Sequence, residues 1–141
     1  MGVNLVELVH QEINPDKYQK YYVDHSHGAV VNFLGVVRNI HEGRAVKRIF
    51  YECYERMTLK MMQQIEQECL EHYPMVKMVL VHRIGMVELG EASVLVCTSS
   101  KHRKDSYESS IFVMNRVKEL LPIWKKEFHP DGDTSWVGIG S

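Results

Sequence analysis

The sequence has few cysteines, no long apolar run and almost no excess of charge. Its three cysteines, Cys53, Cys69 and Cys97, are odd in number and show no C-x-x-C spacing. Each lies in an apolar pattern, which favours reduced, buried thiols over disulfides. Lysine and arginine number 17 against 18 acidic residues, so we expect no nucleic-acid partner.

Membrane and export signals are also lacking. No apolar run approaches the length of a membrane span, and the first residues lack the basic-then-apolar layout of a signal peptide. We therefore expect a cytoplasmic protein without a membrane partner. With 141 residues and no repeat or low-complexity linker, the chain is expected to form a single domain, 1–141. No metal site is expected, because His10, His25 and His27 are loosely spaced and no thiol or carboxylate completes a set.

Hydrophobic periodicity predicts an α+β fold with helices packed on a largely antiparallel sheet. Residues 28–37 are predicted to form a central strand, with Gly35 at a bulge or close approach, and 45–54 to pair antiparallel with it. Helices are predicted from Pro15 and over 56–73, the latter burying the row Met57, Met61, Ile65 and Cys69. Further strands are predicted over 3–9, with Val3 inward, and over 76–83, 86–87, 92–99 and 136–137.

A third predicted helix, which Pro122 ends, begins in an unusual way. Its first turn carries four basic residues: Lys101, His102, Arg103 and Lys104. A cation near a helix N-terminus is unfavourable by about 0.3–1 kcal/mol, whereas free N–H groups and the helix dipole attract anions. The turn is either a phosphate or carboxylate site or a solvated basic segment with Asp105 and Glu108 as counter-charges.

The same helix carries a lysine within an apolar stripe. Lys118 projects among the stripe residues Tyr107, Ile111, Met114 and Leu121. Either its ammonium reaches water over an aliphatic stem, or the amine is partly desolvated, with a lowered pKa suited to a base or nucleophile. Lys125, seven residues later, could face the same cavity. Arg38, directly after the 28–37 strand, is either an anion ligand or a surface residue before the turn at 41–43.

The spacing of one cysteine and one arginine suggests a phosphatase, but the residues around them do not fit that chemistry. Cys97 and Arg103, six positions apart between a strand and a helix, have the spacing of a cysteine phosphatase loop. The intervening residues contain no glycine to let N–H groups converge on a phosphate, and Cys97 continues the buried alternation of its strand. A phosphatase is therefore not favoured.

Several segments together resemble one family. These are GAVVNFLGVVRN at 28–39, YECY at 51–54, HRIG at 82–85, SSKHR at 99–103, VKELLPIWKKE at 117–127 and DGDTSWV at 131–137. In order and register they resemble the large, catalytic subunit of molybdopterin synthase, the MoaE family. The resemblance covers roughly 28–137 and implies an α/β-hammerhead-type fold.

The resemblance implies a sulfurtransferase that converts cyclic pyranopterin monophosphate (precursor Z) into molybdopterin. Its sulfur comes from a thiocarboxylate on the C-terminal Gly-Gly of a small ubiquitin-like subunit, whose tail enters a pocket of the large subunit. A homodimer of large subunits forms the core of a heterotetramer. No cofactor or metal is implied for this step. An adaptor that binds such a tail without turnover is the alternative.

The resemblance also assigns roles to residues. The active lysines fall on Lys118 and Lys125, and the anion-binding residues on Arg38, His102 and Arg103. Adjacent Lys126 leaves open which amine faces inward, and register favours Lys125. Relatives often carry a basic residue shortly beyond the Trp-Val pair, whereas 138–141 here hold none, which puts a contribution across subunits in doubt.

Overall fold

The computed structural model of the protein describes residues 4–138. Its strands are β1 (Leu5–Val9), β2 (Ala29–Val36), β3 (Ile40–His41), β4 (Arg44–Ala45), β5 (Arg48–Cys53), β6 (Lys77–Arg83), β7 (Gly85–Glu88), β8 (Ala92–Ser100), β9 (Ile123–Phe128) and β10 (Thr134–Val137). Its helices are α1 (Gln19–Tyr22), which follows a 3-10 turn at Pro15–Tyr18, α2 (Glu55–His72) and α3 (Arg103–Leu120). No helix in this part of the chain is long and apolar enough to cross a bilayer.

Two four-stranded sheets organise the fold. The first has the order β1-β6-β8-β2 and is antiparallel except for the β1–β6 pair; the second, with the order β10-β9-β5-β7, is wholly antiparallel. The main core joins α2 and α3 to one face of the first sheet and to the second sheet, whereas a smaller core under Tyr18 and Tyr22 covers the other face. The predicted α+β class is therefore confirmed.

The bulge expected at Gly35 is present. The pairing of β2 with β8 shifts register between Gly35 and Val36. A Cβ added at Gly35 would lie 2.7 Å from Cγ1 of Val94, so the Val94 side chain occupies the space that a side chain at position 35 would need.

Two predictions about strand pairing were wrong. The 28–37 segment forms an edge strand, β2, and four of its apolar side chains are exposed: Val30, Phe33, Leu34 and Val36. The following long strand, β5, pairs with β7 and β9 instead of β2. Between them the small hairpin β3–β4 turns through Glu42 and Gly43, both at positive φ. This hairpin carries the chain from the first sheet to the second.

The buried faces of the long helices were predicted only in part: Ile65, Cys69 and Leu121 are buried as expected, but other residues of the predicted rows are exposed. In α3, Tyr107 and Ile111 are 57% and 60% exposed, and small residues face the sheet: Ser106, Ser109, Ser110, Val113 and Val117. Serines let the helix lie close to β8 and β2, because their hydroxyls find backbone acceptors, as Ser106 does at the Ala29 carbonyl at 3.0 Å. In α2 the buried row is Thr58, Met62, Ile65 and Cys69, with Met57 exposed. Val3 lies outside the described residues.

Candidate active site

A cavity of about 90 Å³ lies where the C-terminal half of α3 meets both sheets. Five polar side chains border it: Tyr51, His82, Ser93, Lys118 and Lys125. The rest of its wall is apolar and comes mainly from α3 and the segment that follows it. Small-molecule pockets are usually about 300–1,000 Å³. This cavity therefore suits a narrow group better than a whole fused-ring molecule.

The two lysines reach this cavity because the chain reverses after α3. The helix ends at Leu120, Pro122 prevents its continuation, and β9 brings Lys125 back beside the last turn. Lys125 pairs in register with Tyr51 on β5. Lys126 lies on the other face of β9, where its Nζ is 5.5 Å from the Phe128 ring centroid. The inward amine is thus that of Lys125.

The two lysines differ in their surroundings. Burial lowers the pKa of Lys125, the positive charges of Lys118 and Arg38 lower it further, and Glu127 opposes the shift. Lys118 borders the same cavity but is exposed in the isolated chain. Of the two alternatives for Lys118, the solvent-exposed one therefore holds for this chain alone, and the partly buried amine is that of Lys125.

A second cavity of about 80 Å³ adjoins the first and contains Arg38. Tyr51 and Lys125 border both cavities, so Lys125 lies between Lys118 and Arg38. A buried carboxylate, Glu127, also lines this second cavity and lies 2.7 Å from Nδ1 of His41. The two cavities together place three cations around a space that is open to an anionic ligand.

His102 and Arg103 lie at the other end of α3. His102 caps the helix without a side-chain hydrogen bond, the helix begins at Arg103, and both side chains are exposed. At 1.5 Å per residue, Arg103 and Lys118 are separated by roughly 22 Å along the helix axis. One chain therefore brings Lys118, Lys125 and Arg38 together, but not His102 and Arg103.

Some residues that line the cavities were missed in the sequence. Glu127 could have been found from period-two alternation, because it lies two positions after Lys125 on one face of β9. His82 and Ser93 gave less signal, since each lies near an end of an apolar strand. Tyr51 was recognised only as part of an alternating strand.

The cysteines are not placed as a phosphatase nucleophile would be. Cys97 is fully buried on the sheet face away from α3, and burial raises the pKa of its thiol to about 12. Cys69 is likewise buried, whereas Cys53 is only partly so. Between Asn4 and Gly138, no three His, Cys, Asp or Glu side chains converge as a metal site would require.

Comparison with known proteins identifies the family. The family described as MoaE protein matches residues 8–120. The molybdopterin synthase catalytic subunit of Pyrococcus abyssi is 36% identical over 139 residues, which are 97% of this chain and 93% of that protein. Such coverage places the similarity along nearly the whole length of both chains.

Solved structures agree with this assignment. The crystal structure of molybdopterin synthase from Staphylococcus aureus superposes with a TM-score of 0.88 and 37% identity, over 94% of this chain and 96% of that one. A complex of subunits 1 and 2 of molybdopterin-converting factor from Helicobacter pylori shares the fold, with a TM-score of 0.73 at 19% identity, over 94% and 88% of the two chains. By its sequence and its fold, the chain belongs to the MoaE family, whose curated relatives are molybdopterin synthase catalytic subunits.

Proposed function

We propose that this chain is the sulfur-transferring subunit of a molybdopterin synthase, which converts cyclic pyranopterin monophosphate into molybdopterin. The observation that carries the proposal is the placement of Lys118 and Lys125 on one narrow cavity beside Arg38. Each thiocarboxylate tail supplies one sulfur atom and leaves as a carboxylate after water has added. Two thiocarboxylated tails are therefore consumed for each dithiolene.

The cavity at the lysines suits the tail of a small ubiquitin-like partner. A Gly-Gly end has no side chains, so it can enter a space that a bulkier chain end could not. The thiocarboxylate is an anion, and Lys118 and Lys125 are cations at the cavity wall. A seated tail would also cover Lys118, which is exposed in the free chain, and so raise the strength of its charge interactions.

The pterin substrate would occupy the neighbouring space at Arg38. Its cyclic phosphate needs cationic partners, and Arg38 offers a planar pair of donors there. Lys125, between the two cavities, would protonate or orient the pterin side chain where sulfur adds, and its lowered pKa makes the neutral amine more accessible. Lys118 would assist the breakdown of the thiocarboxylate by proton transfer or by stabilising the tetrahedral intermediate.

His102 and Arg103 fit this scheme only if they come from a second copy. Strand β2 begins beside them, since the N–H of Gly28 donates to the Lys101 carbonyl, and it ends beside Arg38. Antiparallel pairing of two β2 edges would thus bring His102 and Arg103 of one copy next to Arg38 of the other. The eight residues of β2 span roughly 26 Å, comparable with the separation along α3.

The edge of β2 has the properties of such an interface. In the described chain β2 pairs with β8 on one side only, and its other edge offers free N–H and C=O groups to another strand. Its exposed Val30, Leu34 and Val36 would be buried by a second copy. We propose that this edge forms the homodimer at the core of a heterotetramer with two small subunits.

Sulfur transfer can be tested with purified chain, the cyclic pterin and a thiocarboxylated small subunit, with dithiolene formation as the readout. Lys118→Ala should lower turnover by at least about 100-fold, because proton transfer by a positioned group contributes 10²–10⁴. Affinity for the small subunit should change by less than about threefold, since most of the interface is untouched.

Lys126→Ala is the matched control and should keep wild-type turnover, because its side chain lies on the opposite face of β9. Wild-type chain that binds the small subunit but forms no dithiolene would contradict the proposed reaction and leave an adaptor. Loss of small-subunit binding in Lys118→Ala would make this lysine a docking residue instead.

A further inference from the structure

His82 is a buried polar residue in the lysine cavity that the scheme above does not use. It lies one residue before the end of the apolar strand β6, and only 6% of its surface is exposed. It borders the cavity with Lys118 and Lys125. A buried polar group normally has a partner for each of its polar atoms. Both ring nitrogens of His82 are therefore expected to have a hydrogen-bond partner when the cavity is occupied.

The hydrogen bond at Nδ1 determines where the proton lies. Nδ1 is 2.9 Å from the main-chain oxygen of Arg83. A carbonyl oxygen only accepts, so Nδ1 carries the hydrogen and Nε2 carries a lone pair. The ring is also held by edge contact with Tyr51, at 5.4 Å between centroids. Within residues 4–138 the ring's one hydrogen bond is the one at Nδ1, so Nε2 remains available to a ligand in the cavity.

The ring remains neutral at physiological pH. Burial lowers the pKa of His82 to about 4, and the positive charge of Lys125 acts in the same direction. A charged imidazolium is therefore excluded next to the two lysines. His82 offers the cavity one fixed acceptor that does not titrate during the reaction.

A ligand for this cavity must then bring both an anion and a hydrogen-bond donor. The thiocarboxylate of the tail only accepts, and the two lysines are suited to it. The donor available on the same tail is a main-chain N–H, because glycine has no side chain. The cavity is also too narrow for a fused-ring pterin to supply the donor there.

We propose that Nε2 of His82 accepts a hydrogen bond from the N–H of the last glycine in the tail of the small subunit. This inference rests on the function proposed above. His82 is then a positioning residue: it fixes the terminal peptide plane so that the thiocarboxylate carbon points at Lys118 and Lys125. A tail with no N–H at its last residue should bind more weakly.

The test removes the donor and the acceptor separately. Small subunits are prepared with a terminal glycine or with N-methylglycine in its place, and each is bound to wild-type chain, His82→Phe and His82→Gln. Wild type should bind the N-methylated subunit roughly tenfold more weakly, the loss of one buried hydrogen bond. His82→Phe keeps an aromatic ring but has no acceptor nitrogen. It should therefore bind both subunits equally, with the weaker affinity that wild type shows for the N-methylated subunit. His82→Gln retains an acceptor and should recover part of the discrimination.

A matched control is His72→Phe, which also removes a ring nitrogen bonded to a carbonyl, that of Glu68, but lies on the surface of α2. It should discriminate as wild type does. The inference is overturned if His82→Phe discriminates as strongly as wild type, or if wild type does not discriminate at all. The comparison of the two small subunits on wild-type chain needs no variant. It therefore tests the inference even if His82→Phe misfolds. Wild-type chain that binds both subunits with the expected difference but makes no dithiolene would overturn the proposed function and not the hydrogen bond.

Discussion

Burial and neighbouring charge differ among the titratable side chains of this cavity. His82 is kept neutral by burial, and burial together with two nearby cations lowers the pKa of Lys125. Lys118 is exposed, whereas Lys125 is partly buried and His82 is buried. A small, asymmetric set of donors and acceptors results, which is the arrangement that general acid–base chemistry requires.

Buried, neutral His82 should make stability depend on pH. Its pKa is about 4 in the folded chain and 6.5 as an ordinary histidine, so only the unfolded chain binds this proton between those values. The stabilising contribution is complete above pH 6.5 and is lost as the pH falls through 4. We expect a difference of about 3 kcal/mol in the free energy of unfolding across this window.

Carboxylates titrate in the same pH range, so the measurement compares urea unfolding of wild type with that of His82→Gln at pH 7 and pH 4. The variant should show a shallower decline in stability. His25→Gln, a change at an exposed histidine, should decline as wild type does. Parallel curves for wild type and His82→Gln would show that residue 82 is not responsible.

At the scale of elements, two features place the site. Serines on the buried face of α3 let that helix lie close to β8 and β2, so its last turns reach the second sheet. The bulge at Gly35 then ends the regular pairing of β2 just before Arg38. Helix and bulge together decide where the three cations meet.

Gly35→Ala should therefore be destabilising for steric reasons. Its new Cβ would lie 2.7 Å from Cγ1 of Val94, a β-branched side chain with little freedom to move. We expect a loss of about 1–3 kcal/mol in the free energy of unfolding, the usual effect of overpacking. The measurement is the midpoint of urea unfolding, with an unchanged slope.

Gly138→Ala is the control, because a Cβ there meets nothing within 4 Å, and its midpoint should stay at the wild-type value. If Gly35→Ala unfolds at the wild-type midpoint too, strand β8 can move aside, and the close approach does not constrain the site.

For the whole molecule, the decisive feature is the separation of two groups of cations along α3. Lys118, Lys125 and Arg38 share adjoining cavities, whereas Arg103 starts the helix at the opposite end. Since one phosphate cannot contact both ends of α3, a site that uses all these residues must contain two copies of the chain.

Mixed dimers provide a direct test of a shared site. Lys118→Ala and Arg103→Ala homodimers should each be nearly inactive, because every site lacks one of the two residues. Random mixing makes half of the dimers mixed, each with one intact site, so activity should return to about one quarter of wild type. Dithiolene formation after co-refolding of equal amounts is the measurement.

The neighbouring cation gives the control, since Lys104→Ala should remain active as a homodimer. Mixed samples no more active than the separate variants would place Arg103 and Lys118 in sites of one chain, or remove Arg103 from the site. Either result would contradict the pairing of β2 edges proposed above.

Local patterns were enough to locate most elements and the unusual cations. The sequence identified α2 and α3, the bulge at Gly35, and the lysines 118 and 125, because periodicity, glycine and misplaced charge act over a few residues. The resemblance to the MoaE family added residue roles that no local pattern could supply. The sequence indicated that Lys125 could face the cavity of Lys118, but not that Tyr51 and His82 line it too.

Tertiary structure alone decided the partners of each strand and the exposure of each cation. Strand β2 has the apolar composition of a central strand but lies at an edge, because β5 finds better partners in β7 and β9. Lys118 takes the exposed one of its two predicted alternatives, whereas His82 was not noticed and is buried. Local composition determines what a segment can bury, but burial itself depends on segments distant in sequence that fold against it.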